Sequence, residues 1–221
     1  MYFPDTNIEY VFSEPNTPSD TAILFVPGMS GGALTDKYAG LEKLATEENM
    51  ALLRMQSWQN QEELNNKSLL EIQNEIHVAI NFLKEKGYVN INAIGKSFGG
   101  MLLLYNQIEE FKKLVLWAPV VQISEKVLLN SLLDTPFSKI SSLADVTVDA
   151  KYISKINSEV LILWGTDDQI ISIDNLILLK NTLSSATLTK IQNMSHSPNN
   201  QEEAKNLFKL SIDFIKERSA I

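Results

Sequence analysis

The chain has 221 residues, 44% hydrophobic and 21% charged, with 19 basic against 27 acidic side chains for a net charge of −8. That length suits a single α/β domain without a disulfide or metal staple, because a chain this size buries roughly 70% of its unfolded surface. The absence of cysteine excludes a disulfide framework, a Cys-ligated zinc and a cysteine nucleophile; the acidic balance without a basic cluster argues against nucleic acid or an anionic membrane as partner.

The first residues, MYFPDTNIEY, carry no basic flank and no long apolar run, so no signal peptide is expected. No apolar stretch approaches the ~20 residues that span a membrane. A cytoplasmic location is the expectation that fits a cysteine-free chain.

In chain order, IEYVF (8–12) is a candidate edge strand and TAILFVPG (21–28) a buried strand running into a turn. A helix is expected over 33–46, with Leu34, Tyr38, Leu41 and Ala45 on one face. MALLRMQ (50–56) is the next strand. Residues 68–86 carry the clearest helix. Ser68 and Glu71 form a capping box, Leu69, Ile72, Ile76, Ile80 and Leu83 make the apolar stripe, and Gly87 is the stop. VNINAIG (89–95), KLVLWAP (113–119), EVLILWG (159–165) and ATLTKIQ (186–192) are further strands. A last helix spans about 200–218, led by Asn200 and Glu203, with Ala204, Leu207, Phe208, Ser211 and Ile215 on one face.

Most of the strand runs are continuous rather than alternating, as in strands covered on both faces. Strands alternating with helices imply right-handed crossovers and a doubly wound, mainly parallel sheet flanked by helices. Residues 120–157, which include the helix-like SEKVLLNSLLD, exceed what a simple crossover needs. They are expected to form a small cap inserted in a single domain that spans 1–221.

The stretch INAIGKSFGG (91–100) fits two chemistries at first sight. Gly95-Lys96-Ser97 matches the tail of a phosphate-binding P-loop, whose first glycine would then fall at residue 90. That residue is Asn90, and residues 91–94 read as a strand where the P-loop needs a loop. Gly95-Lys96-Ser97-Phe98-Gly99 instead completes G-x-S-x-G, with a strand before it and a helix after it. In so tight a turn the flanking positions have no room for side chains, and the serine stands at a helix N-terminus that favours developing negative charge.

A serine hydroxyl needs a base, and the base needs an orienting carboxylate. The chain holds two histidines. His77 shares its helix face with the polar Gln73, Asn81 and Lys84 and is expected to be solvated and idle. His196, in NMSHSPNN, follows the last strand and precedes the last helix, which puts it on the same sheet edge as Ser97. LILWGTDDQIIS (161–172) offers the acid from that edge too, with Asp167 and Asp168 in competition. Only one of two adjacent turn residues can face the imidazole. Asp134, Asp145 and Asp149 fall in the expected cap and are less well placed. Lys96 is expected to face solvent.

These residues and their order resemble the α/β-hydrolase superfamily over nearly the whole chain. The order Ser97, Asp, His196 matches the family's Ser…Asp/Glu…His. The resemblance implies an acid three residues after the glycine that ends its strand, which selects Asp168 over Asp167. It also implies an oxyanion loop in FVPGMSGG (25–32), where Pro27 stands at a position the family often fills with His. On that mapping the backbone N–H groups of Met29 and Phe98 bind the oxyanion. The implied activity is hydrolysis of a small-molecule acyl substrate, by default a carboxylic ester of small to medium acyl group, with no metal or organic cofactor. A thioesterase, an amidase or peptidase with the same residues, and a non-enzymatic binding protein on this fold are the alternatives. The residues leave substrate identity and oligomeric state open.

Overall fold

The computed structural model describes residues 1–4, 6–106, 109–122, 134–139 and 150–217. Its strands are β1 (Glu9–Ser13), β2 (Thr21–Val26), β3 (Ala51–Gln56), β4 (Asn90–Lys96), β5 (Phe111–Trp117), β6 (Glu159–Gly165) and β7 (Ala186–Ile191). They form one sheet in the order β1-β3-β2-β4-β5-β6-β7. β1 is the antiparallel edge strand, pairing Tyr10 with Met55, and the other five ladders are parallel. The expected doubly wound, mainly parallel sheet is the observed one.

The central strands distribute their side chains with a period of two, and both of their faces are apolar. In β2, Ala22, Leu24 and Val26 join one core while Ile23 and Phe25 join the other. The first core lies under α3 (Leu69–Glu85), α4 (Phe98–Asn106) and α6 (Ile173–Thr182), which contribute Ile76, Leu102 and Leu179 among others. The second lies under α1 (Ala39–Glu47) and α7 (Gln201–Lys216), through Leu41, Leu207 and Phe208. Burying both faces is what makes the strand sequences continuous rather than alternating.

Helix ends follow their local chemistry. The capping box of α3 is present in both halves, Ser68 Oγ accepting from Glu71 N and Glu71 accepting from Ser68 N. Asn200 caps α7 by accepting from Glu203 N at 2.9 Å. Two short helices, α2 (Gln61–Asn65) and α5 (Ala150–Ile153), and the longer α6 carry no clear apolar period in the sequence.

One expected helix begins later than its periodicity implies. Residues 33–35 are not helical; a 3-10 turn covers Asp36–Tyr38 and α1 starts at Ala39. The cause is Arg54, whose buried guanidinium donates to the carbonyls of Ala33 (3.2 Å) and Thr35 (3.1 Å) and to Glu42 Oε2 (2.6 Å). Gly31 and Gly32, both at positive φ, complete the loop.

The expected cap over 120–157, with its helix-like SEKVLLNSLLD, falls largely on residues outside those described. Of its described parts, Phe137 is buried and its N–H donates to Lys67 O at 2.9 Å. Among the described residues no helix is long and apolar enough to cross a membrane.

Candidate active site

The sheet order reverses between β2 and β4, because β3 lies outside β2 and β5 lies outside β4. Such a switch point opens a crevice at the carboxyl ends of the two strands. Ser97 follows β4 and the 27–32 loop follows β2, so both stand at that crevice.

Ser97 sits in a left-handed conformation, at φ 50°. For a residue with a side chain this is strained, and it persists because the surroundings fix it. Its N–H donates to Trp117 O (2.8 Å), and its carbonyl accepts from Val120 N (3.1 Å) and Met101 N (3.2 Å). The turn closes only because its flanks are bare. A Cβ on Gly95 would lie 2.7 Å from Gly100 Cα, and one on Gly99 would lie 2.3 Å from Val26 O and 2.4 Å from Pro27 O. The segment 90–96 is a strand, as the rejection of a P-loop requires.

His196 Nε2 lies 3.1 Å from Ser97 Oγ, and His196 Nδ1 lies 2.9 Å from Asp168 Oδ2. A carboxylate can only accept, so Nδ1 carries the hydrogen in this pair and Nε2 is left to accept from the serine hydroxyl. The Asp168 side chain is 0% exposed and that of His196 18%. The second oxygen, Asp168 Oδ1, accepts from Ile170 N (2.8 Å) and Ile171 N (2.9 Å), which turns Oδ2 toward the imidazole. Asp167 is exposed and points elsewhere, accepting from Thr166 Oγ1 at 3.1 Å. His77 is exposed on α3 and takes no part in this hydrogen-bond chain.

The loops carrying the acid and the base are laced together. Thr166 N donates to Ile191 O (3.0 Å), Asp167 N to Met194 O (3.0 Å), and Asn193 N to Thr166 Oγ1 (2.9 Å). Gly165 makes this approach possible, since a Cβ there would lie 2.1 Å from Met194 O. Trp164 Nε1 donates to Ile171 O at 3.0 Å and closes the acid turn from below.

The loop after β2 lies beside the serine: a Cβ on Gly28 would be 3.5 Å from Ser97 Cβ. Trp58 Nε1 donates to Met29 O at 3.0 Å and holds that carbonyl. Phe98 begins α4, with its fully buried ring edge-on to Trp58 (5.7 Å) and Phe137 (5.1 Å). Among the described residues neither the Met29 nor the Phe98 N–H donates to another protein group.

Lys96 does not face solvent, contrary to expectation. It follows Ile94 by two residues on β4 and therefore points to the same sheet face, toward α1 and α7. Its Nζ donates to Ser197 Oγ at 2.5 Å. Burial, together with the charge of Lys37, pushes its ammonium down to about 8, against a smaller upward pull from Asp168. Sequence reasoning missed this residue, although the strand period from Ile94 contains the signal.

No protein-family model matches the chain, and no curated protein matches it. Solved structures do. Est1E from Butyrivibrio proteoclasticus superposes with a TM-score of 0.73 at 16% identity, covering 98% of this chain and 95% of its own. A monoacylglycerol lipase from Paleococcus ferrophilus gives 0.71 at 15%, covering 96% and 99%. The α/β hydrolase MGS-MChE2, from a sediment metagenome of the Mar Chica lagoon, gives 0.68 at 20%, covering 98% of each chain. The fold is that of the α/β hydrolases. In an α/β-hydrolase fold the G-x-S-x-G turn lies at the top of the sheet, where Ser97 lies here. At these identities the likeness concerns the fold, and the chemistry has to be argued from the residues.

Proposed function

We propose that the protein is a serine hydrolase that cleaves carboxylic esters through an acyl-enzyme. The carrying observation is the continuous hydrogen-bond chain from Ser97 Oγ through His196 to a fully buried Asp168 carboxylate. Ser97 Oγ attacks the acyl carbonyl carbon while its proton passes to His196 Nε2. The carbonyl oxygen, now an oxyanion, is held by the N–H groups of Met29 and Phe98, each such donor being worth ~3 kcal/mol in the transition state. His196 returns the proton to the departing alkoxide, and the alcohol leaves. A water then gives its proton to His196 and attacks the acyl carbon. The acid departs as Ser97 recovers its hydrogen. Asp168 holds the Nδ1–H tautomer throughout and stabilises the imidazolium.

An ester is favoured over a thioester or amide by the company the fold keeps, which includes an esterase from Exiguobacterium antarcticum, Est1E with ferulic acid bound, and a monoacylglycerol lipase. We further propose that residues 120–157 form a small cap over this site. Val120 N donates to Ser97 O, and Phe137 lies edge-on to Phe98, so the start of the segment and its described middle lie beside the Ser97 turn. The acyl group we propose is a small to medium one.

The test is active-site labelling. A fluorophosphonate probe should label Ser97, and Ser97→Ala should abolish both labelling and turnover of p-nitrophenyl esters. A folded wild-type protein that the probe leaves untouched overturns the reading. A panel of esters, thioesters and anilides then orders the substrates.

A further inference from the structure

On the sheet face opposite Phe98, behind His196, lies a cavity of about 350 Å³, at the small end of ligand-sized pockets. Ser97, Met29 and Phe98 do not line it. Its floor is aromatic: Trp117 stacks on Phe208 (5.7 Å, 30°) and on Tyr38 (6.4 Å, 28°). Leu207 and Leu163 extend the apolar wall.

Its charge is unlike that of the rest of the molecule. The chain carries 27 acidic side chains, yet none among the described residues lines the cavity, whereas Lys37 and Lys96 both do. Among the described residues neither lysine enters a salt bridge. Lys96 is partly buried, Lys37 stands exposed at the mouth, and Asn200 and Gln201 bring the N-terminus of the sixteen-residue α7 to the rim. Two cations outside any salt bridge, over an apolar interior, specify a ligand with one anionic end and one greasy end. A carboxylate is the anionic head whose single charge and small size suit a cavity of about 350 Å³ that also holds an apolar body.

We propose that this cavity binds an amphipathic carboxylate, a medium-chain fatty acid or aryl alkanoate, with its head on Lys37 and Lys96 and its body against Trp117, Leu207 and Phe208. The acid released by ester hydrolysis belongs to this class, but binding here does not depend on Ser97 being a nucleophile. The occupant would pair the Lys96 charge and touch the ring of His196 without entering the space beside Ser97.

Calorimetric titration with sodium octanoate, and with octanamide as the neutral control, tests this. Octanoate should bind the wild type and Ser97→Ala equally, and octanamide at least about tenfold more weakly, the scale of a lost charge-assisted contact. Lys96→Met and Lys37→Met should each weaken octanoate by a similar factor, and the Trp117 indole N–H resonance should shift on binding. Lys37→Met decides the matter if Lys96→Met does not fold, since Lys37 is exposed. No octanoate binding, an amide that binds as well, or affinity unchanged in the folded lysine variants overturns the proposal. Because binding is read without turnover, its failure and that of the hydrolase reading are told apart.

Discussion

Lys96 stands immediately before the proposed nucleophile and is the least comfortable side chain of the site. Burial lowers its ammonium from 10.5 to about 8. Between those values the unfolded chain holds a proton the folded chain has lost, so stability rises as pH climbs through that window. Below about pH 8 the penalty is present in full. Lys96→Met should therefore be more stable than the wild type at pH 7, by about 1–3 kcal/mol once residual solvent contact is allowed for, with the gap closing by about pH 10. Urea titrations at the two pH values check this. Asp168→Asn should leave the protein folded but lower kcat by about three to four orders of magnitude, because the amide favours the wrong imidazole tautomer. Asp167→Asn, on an exposed side chain aimed away, should change turnover little, and the pair of variants measured side by side separates the two aspartates. From sequence alone they were separable only by resemblance, since neither burial nor the two amides of Ile170 and Ile171 can be read from LILWGTDDQIIS.

At the scale of elements, the turn between β4 and α4 and the first turn of α3 make a useful contrast. Gly99→Ala drives a methyl into the carbonyls of Val26 and Pro27, backbone that cannot rotate away. The variant should be destabilised by more than about 3 kcal/mol and lose turnover with it, because the displaced segment leads into Met29. Ser68→Ala removes one half of a capping box that touches none of Ser97, Asp168 and His196 and should cost about 1 kcal/mol with turnover intact. Thermal melts and ester turnover on both proteins distinguish a structural glycine from a structural cap. At the other end of α7, buried Lys113 of β5 donates to the carbonyls of Phe214 (2.9 Å) and Glu217 (2.6 Å). A cation at a helix C-terminus is favourably placed, and Lys113→Met leaves those carbonyls without their donor. About 2 kcal/mol of stability should go with it, and hydrogen exchange should quicken in the last turn of α7.

At the scale of the whole molecule, the sheet was legible because burial on both faces writes strands as uninterrupted runs, as in TAILFV and EVLILW. Ser97 and His196 were legible because the topology forces residues that follow parallel strands onto one edge. The cavity behind His196 was not. Lys37, Lys96, Trp117 and Phe208 come from four segments, and only tertiary packing joins them. The loop at 33–35 was misread for the same reason, since Arg54, about twenty residues downstream, takes the carbonyls a helix would need. The lacing of the 165–168 and 191–196 loops has a mechanical consequence. Acid and base belong to one laced body of loops after β6 and β7, while the serine belongs to another, the turn after β4, and meets them through the side-chain bonds His196–Ser97 and Lys96–Ser197. Mild heating or low urea should part the bodies before it dismantles either: turnover falls first, and the low-field proton resonance of the Asp168–His196 pair outlasts it.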